Sequence, residues 1–221
     1  MSTEVSFQIL LMGLYLIMFG VNSTSVSGQC QIAQQSILIR LKNELQFSSS
    51  FSTKLVSWDP NVGDCCTWVG VNCSVGGQVI GVDLSNETIS GGFDDSSALF
   101  DLENLEKLNL AANNFNFTPI PSRFGSLTSL RNLNLSNSWF AGQIPGELSE
   151  LTNLQVLDLS SPFSGIRSLK LENPNLGMLV GNLTQLRVLS LDSVNISAQK
   201  SDWCQALSSS VRLEVLSLSQ C

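Results

Sequence analysis

Histidine is absent from the 221 residues of this chain, and charged residues make up only 13% of it, against about 25% in a typical globular domain. Without histidine, the chain lacks the commonest general base and the commonest metal ligand of proteins. Its 11 basic residues form no cluster and are outnumbered by 18 acidic residues, which gives a net charge of −7. Because proteins hold nucleic-acid phosphates with clustered basic side chains, the composition argues against a nucleic-acid partner.

Long apolar runs are equally scarce. One run covers residues 7–21, is followed by small residues, and is shorter than the roughly 20 residues of a membrane span. We predict that residues 1–28 are a signal peptide cleaved before Gln29, and that the chain is secreted. Because Glu4 and no basic residue precedes the run, an uncleaved membrane anchor is the alternative.

Because a secreted chain passes through an oxidising compartment, we expect its six cysteines to form disulfide bonds. We expect the role of these bonds to be structural. The alternatives are a zinc site, which needs a reducing compartment and a different spacing, and a redox-active adjacent pair. Sequence alone allows three pairings among the first four cysteines. Cys204 could pair with Cys221 or with a cysteine beyond it. The six are Cys30, Cys65, Cys66, Cys73, Cys204 and Cys221.

What the chain does have is a repeated leucine pattern, L-x-x-L-x-L, at intervals of 24 to 32 residues. In L-x-L the two leucines point to the same side of a short strand, and one coil cannot bury them alone. Stacked coils bury them together and pair their strands in a parallel sheet. The six copies begin at Val79, Leu105, Leu130, Leu154, Leu186 and Leu213.

A turn follows each of these strands. In this repeat type, an asparagine or cysteine three residues after the last leucine can satisfy backbone groups of the turns in adjacent coils. Asn113 and Cys221 occupy that position. The remaining copies carry residues that do not fit, so we predict an irregular ladder. The misfits are Glu87, Ser138, Pro162 and Val194.

The second half of the coil is also distinctive. Residues 140–148 read F-A-G-Q-I-P-G-E-L, and Ile120-Pro121 is the looser equivalent in the copy before. The pattern resembles the plant-specific leucine-rich repeat. This resemblance implies an α/β fold, a right-handed leucine-rich-repeat solenoid with a parallel β-sheet on its concave face.

The copy at Leu154 runs about eight residues over the period. We therefore predict that residues 160–176 form a loop beside the strand face, either a tolerated surface insertion or a contact loop.

Residues 29–78 do not repeat and would cover the exposed end of the repeats at 79–221. Apolar residues recur with helical spacing over residues 34–47. This helix and the double cysteine that follows resemble the N-terminal cap of plant leucine-rich-repeat proteins. That resemblance implies the pairing Cys30–Cys65 and Cys66–Cys73.

The exposed positions of the strands form the predicted concave face, which is polar in the early coils and partly valine in the later ones. A ligand-facing surface is one interpretation, and an ordinary solvated sheet surface is the other. Stacked exposed valines favour a contact. The candidate binding residues are Asp83, Lys107, Asn109, Asn132, Asn134, Val156, Asp158, Val188, Ser190, Val215 and Ser217.

Six N-x-S/T sequons follow the predicted signal peptide and indicate a glycoprotein. One of them lies between two repeat leucines on the concave face, where a glycan would obstruct binding. The acceptors are Asn72, Asn86, Asn116, Asn134, Asn182 and Asn195.

Four short strings lie outside the repeat consensus: E-T-I-S at 87–90, S-S-A-L-F at 96–100, L-E-N-P-N-L at 171–176 and W-C-Q at 203–205. They resemble plant receptor-like proteins of the Verticillium-wilt-resistance group. The resemblance implies a non-catalytic extracellular module for pathogen perception and defence signalling, with a protein or peptide ligand and a co-receptor kinase as partners. The parent receptor would be a single-pass plasma-membrane protein.

The chain stops in mid-repeat, so we expect it to be the N-terminal part of such a receptor, with its last leucines exposed and a tendency to aggregate. A secreted inhibitor of cell-wall-degrading enzymes, similar to the polygalacturonase-inhibiting proteins, is the alternative function. We expect no catalytic residues, metal or cofactor. Asp83 and Asp158 would lie three coils apart, about 14 Å, which is too far for a carboxylate pair.

Overall fold

The leucine pattern builds two β-sheets in the computed structural model, which describes residues 28–161, 167–196, 207 and 212–219. The predicted signal peptide, apart from Gly28, lies outside these residues. The larger sheet has the order β1-β2-β3-β4-β6-β8-β10, and the smaller has the order β5-β7-β9. The strands are β1 (Val71–Cys73), β2 (Val79–Asp83), β3 (Lys107–Asn109), β4 (Asn132–Asn134), β5 (Gly142–Gln143), β6 (Val156–Asp158), β7 (Leu169–Leu171), β8 (Val188–Ser190), β9 (Asn195–Ile196) and β10 (Val215–Ser217).

The larger sheet contains all six predicted repeat strands. From β2 to β10 every neighbouring pair is parallel and in register, whereas β1 pairs with β2 as an antiparallel hairpin of the cap. The central leucines of β3, β4, β6 and β8 are 1% exposed or less. Each such burial stabilises the fold by about 1.5–3 kcal/mol. The stacked coils predicted from the spacing are confirmed, as is the leucine-rich-repeat solenoid that the resemblance implied.

Helical segments cover the other side of the coils. Three are short 3₁₀ helices, at Ala98–Asp101, Ser122–Ser126 and Gly146–Glu150, and one is a five-residue α-helix at Leu176–Val180. The helical part of this α/β fold is therefore mostly 3₁₀ in the described coils. Four or five residues give room for little more than one turn, and short 3₁₀ pieces are common as such connectors.

Phenylalanines pack inside the first coils. The Phe93 ring lies 5.8 Å from that of Phe100, 5.5 Å from that of Phe115 and 5.9 Å from that of Phe124. Phe115 and Phe140 stack with ring centroids 4.4 Å apart. All five are buried. Because the stacked pair comes from adjacent coils, it adds a sideways contact between coils to the hydrogen bonds of the sheets.

The prediction of a loop at residues 160–176 is wrong for the part that the structure describes. Leu169–Leu171 is strand β7, which lies between β5 and β9 in the smaller sheet. Leu169 and Leu171 are both buried, and Leu176, also buried, begins the short α-helix. The physical reason is that the insertion carries an L-x-L of its own, whose two leucines pack into the core like those of a repeat. Residues 162–166 lie outside the described residues.

The cap begins with the predicted helix, at Ile32–Glu44, which buries Leu38 and Leu41 against the first coil. It ends three residues before the predicted boundary at residue 47. The backbone N–H of Gln46 donates to the carbonyl oxygen of Gly91 (3.0 Å), and the Gln46 carbonyl oxygen accepts from Ser90 (2.7 Å). A bridge to the neighbouring segment thus replaces the last helical turn.

Two disulfide bonds staple this cap, Cys30–Cys65 and Cys66–Cys73, each with a Cα–Cα distance of 5.5 Å. This is the pairing that the family resemblance implied. Asp64 holds one cysteine of each bond, because its Oδ1 accepts hydrogen bonds from the backbone N–H of Cys30 (2.8 Å) and Cys66 (3.0 Å). With their sulfurs joined in pairs, these four cysteines offer no thiolate to a zinc ion. Cys204 and Cys221 lie outside the described residues.

The polar ladder of the turns centres on Asn113, which is buried. Its Nδ2 donates to the carbonyl oxygens of Leu84 (2.8 Å) and Leu110 (2.9 Å), and its Oδ1 accepts from the backbone N–H of Glu87 (3.1 Å) and Ile89 (3.0 Å). One side chain therefore satisfies backbone groups in two coils, as predicted.

The next coil departs from the prediction. Ser138 was expected not to fit, yet its hydroxyl donates to the Leu110 carbonyl oxygen at 2.6 Å, so a serine serves the ladder as a donor. Val194 is fully buried and apolar. Pro162 and Cys221 lie outside the described residues.

We predict that reducing agent unfolds the cap before the central coils. Disulfide removal relaxes a constraint that only the cap contains among the described residues, at a cost of about 2–4 kcal/mol per bond. Hydrogen exchange with and without reductant should show early loss of protection in residues 32–73 while β3, β4 and β6 stay protected. Simultaneous loss in both regions would contradict the prediction.

We also predict that Asn113→Ala lowers the free energy of unfolding by about 2–4 kcal/mol, because it leaves the buried N–H groups of Glu87 and Ile89 without an acceptor. Urea unfolding followed by circular dichroism measures this change. Asn104→Ala is the matched control, since Asn104 is exposed, and it should change the free energy by less than about 0.5 kcal/mol. Equal effects of the two substitutions would refute the role given to Asn113.

Candidate ligand-binding face

The register of the larger sheet aligns the residues on either side of each central strand residue in two rows across the concave face. The first concave row consists of Gly81, Lys107, Asn132, Val156, Val188 and Val215. The second concave row consists of Asp83, Asn109, Asn134, Asp158, Ser190 and Ser217. All the candidate binding residues of the sequence analysis therefore share one face, although their role in binding stays a prediction. Asp83 and Asp158 are three strands apart, about 14 Å at ordinary strand spacing.

Four members of the second concave row also hold the turns that follow their strands. The Asn109 Oδ1 accepts from the backbone N–H of Ala111 (3.1 Å), and the Asn134 Oδ1 accepts from the N–H (2.9 Å) and Oγ (2.7 Å) of Ser136. Asp83 and Asp158 accept in the same way from the residue two positions later. These are Asx turns, in which a side chain takes a backbone role. One oxygen of each side chain is therefore committed to the fold.

Asp83 at the cap end has a cationic partner as well. The Lys54 Nζ donates to its Oδ1 (2.7 Å) and to the carbonyl oxygen of Ser85 (2.8 Å). Burial raises the pKa of Asp83, but the hydrogen bonds from Lys54 and Ser85 and the charge of Lys54 outweigh it, so the pKa lies below its usual value. The negative charge of Asp83 is thus largely compensated within the protein.

Beside this pair lies a shallow groove of about 300 Å³ on the concave face. Lys107 is exposed there, and carboxamide groups surround it. Val156 is the one valine of the first concave row that lines the groove. Its lining consists of Asn72, Gly81, Val82, Asp83, Lys107, Leu108, Asn109, Asn132, Leu133, Asn134 and Val156.

The later strands present a different surface. Val156 and Val188 are half-buried neighbours in register, and Val215 beside them is 51% exposed. Ser217 is engaged within the fold, since its hydroxyl contacts both carboxylate oxygens of Asp192 (2.7 and 2.8 Å). The face is therefore polar over the early strands and partly apolar over the later ones, where the first concave row is valine and the second remains polar.

Sequence reasoning missed the function of Glu87, which it marked only as a misfit in the ladder. The side chain is fully buried. Its carboxylate accepts from the Ser52 hydroxyl and from the backbone N–H groups of Thr53, Lys54 and Leu55, each of the three at 3.0 Å. One carboxylate of the first coil therefore holds the cap segment that positions Lys54 against Asp83. The available signal was an acid at a position that usually carries asparagine.

The environment of Glu87 sets its protonation. Burial raises the pKa of the carboxyl group, but the hydrogen bonds from Ser52 and from the backbone of Leu55, Thr53 and Lys54 outweigh it and hold the pKa below the ordinary 4.5. Glu87 is therefore ionised at neutral pH, with donors rather than a cation stabilising its charge.

The predicted glycosylation sites fall on several surfaces. Five of the six acceptor asparagines are exposed, and only Asn134, on the concave face, is half-buried. Asn72 and Asn134 both line the groove. Glycosylation of any of the six stays a prediction.

Among the residues that the structure describes, no helix has both the length and the apolarity needed to span a bilayer.

Comparison with known proteins agrees with this architecture. The family model of the Leucine rich repeat N-terminal domain matches residues 33–74, and the Leucine Rich Repeat model matches residues 104–127 and 129–151. The first match covers most of the stapled cap, and the others cover two of the central coils.

Two relatives match most of the chain. Receptor-like protein 6 of Arabidopsis thaliana is 39% identical over 186 residues, which is 76% of this chain and 19% of that protein. Receptor-like protein Cf-9 of Solanum pimpinellifolium is 42% identical over 146 residues, which is 66% of this chain and 16% of that protein. The chain thus spans less than a fifth of the length of these relatives.

A solved structure extends the comparison to the fold. The leucine-rich-repeat ectodomain of the membrane receptor kinase GASSHO1/SCHENGEN3 from Arabidopsis thaliana, in complex with CASPARIAN STRIP INTEGRITY FACTOR 2, is 26% identical with a TM-score of 0.66. The match covers 84% of this chain and 21% of that ectodomain.

We predict that acid lowers the free energy of unfolding of the wild-type protein, partly because the Glu87 carboxylate becomes protonated. Because its pKa is lowered in the folded state, its stabilising effect is present above the unfolded pKa of about 4.5 and is lost as the pH falls through the lower folded pKa. At about pH 6, Glu87→Gln should lower the free energy of unfolding by about 2–4 kcal/mol. At about pH 3 the difference from wild type should shrink.

Urea unfolding at both pH values measures this change. Glu150→Gln is the control, because Glu150 is an exposed acid on a 3₁₀ helix, and its difference from wild type should stay near zero at both pH values. A Glu87→Gln difference that does not change with pH would show that the charge of Glu87 is not what stabilises the cap.

Proposed function

The chain belongs to the leucine-rich-repeat receptor-like proteins of plants, and from this premise we propose that its concave face binds a protein or peptide ligand in pathogen perception. The observation that carries the proposal is the pair of concave rows, which six strands hold in register. A rigid sheet that aligns polar and apolar side chains over several coils is the kind of extended surface that repeat proteins use for binding.

The change in chemistry along the face supports recognition rather than simple solvation. Exposed polar side chains alone would suit a wet surface. Three valines in adjacent strands, Val156, Val188 and Val215, add an apolar patch whose contact with water is unfavourable. Such patches on sheets favour the binding of a partner. The GASSHO1 ectodomain, which has the same fold, was solved with a bound factor, and this precedent supports a ligand for the present chain.

The cellular setting follows from the same premise. We propose that the chain works outside the cell, as part of a receptor held in the plasma membrane, and that a co-receptor kinase transmits the signal. The disulfide-stapled cap supports an oxidising compartment. The proposed function involves binding and no catalytic step.

We predict that the secreted full chain suppresses the oxidative burst that fluid from fungus-infected leaves provokes in leaf discs, because it sequesters the ligand. In the double variant Val156→Asp/Val188→Asp, two charged side chains would be buried beneath the bound ligand, which is unfavourable. Half suppression should then need at least about tenfold more protein, which corresponds to a loss of about 1.4 kcal/mol of binding free energy. Circular dichroism checks that the variant folds.

Val62→Asp is the matched control, since Val62 is 65% exposed on the cap and lies away from the concave face. It should suppress as well as wild type. No suppression by the wild-type chain, or equal weakening by both variants, would overturn the proposed function. Inhibition of fungal polygalacturonase that is lost in the concave variant would instead favour the inhibitor of cell-wall-degrading enzymes.

A further inference from the structure

The Asx turns fix the polarity of the carboxamides in the concave groove. A backbone N–H can only donate, so the atom of Asn109 that faces the Ala111 N–H must be Oδ1, and the same holds for Asn134 at Ser136. The Nδ2 of each side chain is then the atom left for the groove. Neither Nδ2 has a hydrogen-bond partner among the described residues. The turns thus convert two asparagines into outward-facing donors.

The groove also contains a cation. Lys107 carries a positive charge, is exposed, and forms no ion pair within the described part of the chain. Asn132 lies next to it in the first concave row. Asp83, the acid that lines the groove, pairs with Lys54 at 2.7 Å, and Glu106, which precedes Lys107 in the chain, pairs with Arg131 at 3.4 Å. The groove therefore offers one cation without an ion-pair partner among the described residues and two carboxamide donors, and the one carboxylate in its lining, Asp83, is already paired with Lys54.

The occupant that this chemistry suits is a carboxylate. Its two oxygens provide about four acceptor sites, enough for an ammonium and several carboxamide N–H groups, and charged acceptors form the stronger bonds. A nucleic acid would need more than one cation along its phosphates. A neutral sugar would leave the charge of Lys107 unmatched.

Spacing along the sheet gives the rest of the ligand. Strands lie about 4.8 Å apart, so Val156 is about 10 Å and Val188 about 14 Å from Lys107 along the first concave row. An extended peptide advances about 3.3 Å per residue, and it covers these distances in about three to four residues. When the carboxylate of such a peptide lies at Lys107, the side chain of a residue three to four positions away lies over Val156 and Val188.

We propose that the groove over β3 and β4 binds a carboxylate of an extended peptide, and that an aliphatic side chain about three to four residues away packs on Val156 and Val188. This inference rests on the proposed function and adds the class of ligand. It also requires that the Nδ2 of Asn134 is unmodified in the binding form, because a glycan there would remove a donor and fill the groove.

The test uses the secreted full chain on an array of immobilised peptides in a serine–threonine background. Each peptide carries one leucine and one glutamate at a separation that increases by one residue, and a matched peptide carries glutamine, the neutral isostere. We expect binding to the glutamate peptides to exceed that to the glutamine peptides by at least about tenfold, with a maximum near a separation of three to four residues. Added salt should reduce the preference.

Variants locate the effect. Lys107→Gln should abolish the preference for glutamate, and Lys107→Arg should retain most of it. Val188→Thr, which keeps the shape of the side chain, should remove the dependence on leucine while the preference for glutamate remains. Lys170→Gln is the matched control, because Lys170 lies in β7 of the smaller sheet, and it should behave as wild type. Mass spectrometry of the secreted chain should find Asn134 without a glycan.

Equal binding to glutamate and glutamine peptides would overturn this inference, as would equal losses in the Lys107→Gln and Lys170→Gln variants or full glycosylation of Asn134. These outcomes are separate from a failure of the proposed function. If the concave variants lose burst suppression while the array shows no preference for glutamate, the receptor role stands and the carboxylate is wrong. If the preference is present but no suppression occurs, the peptide site stands and the role in pathogen perception is wrong.

Discussion

Every coil of this protein depends on the coil beside it, because a three-residue strand cannot bury its central leucine alone. The leucines of β3, β4, β6 and β8 are inaccessible to solvent only because a neighbour lies on each side in register. The same register that buries the inward side chains fixes the outward ones in rows. The binding face is therefore a direct product of the packing constraint and needs no separate element to build it.

Side chains that hold the backbone also determine what the face can offer. Asn109 and Asn134 give their oxygens to the turns, which leaves their N–H groups for a ligand, while Lys54 and Ser85 compensate the acid at the cap end. A count of polar residues along the strands describes this surface as mixed. The hydrogen bonds of the turns show that at Asn109 and Asn134 the acceptor is already engaged and the donor is available to a ligand.

The repeats, the cap helix and the rows of the concave face could be predicted because each leaves a periodic signal in the sequence. The disulfide pairing could be taken from the family pattern. The strand β7 was missed, because its two leucines, Leu169 and Leu171, do not keep the repeat interval. Ser138 and Glu87 were misjudged for a different reason. Their partners, Leu110 and the segment at 52–55, are distant in sequence, and only the stacked coils bring them together.

Glu87 has a consequence for how such chains can be recombined. Its carboxylate reaches back into the cap, and its backbone N–H reaches forward to Asn113 in the next coil. A crossover placed between the cap and the first strand would separate an acid from its donors and leave a buried charge without partners. A crossover after Asn113 keeps the whole set together. The unit of inheritance at this end of the protein is thus the cap, the first coil and the part of the next coil that ends at Asn113.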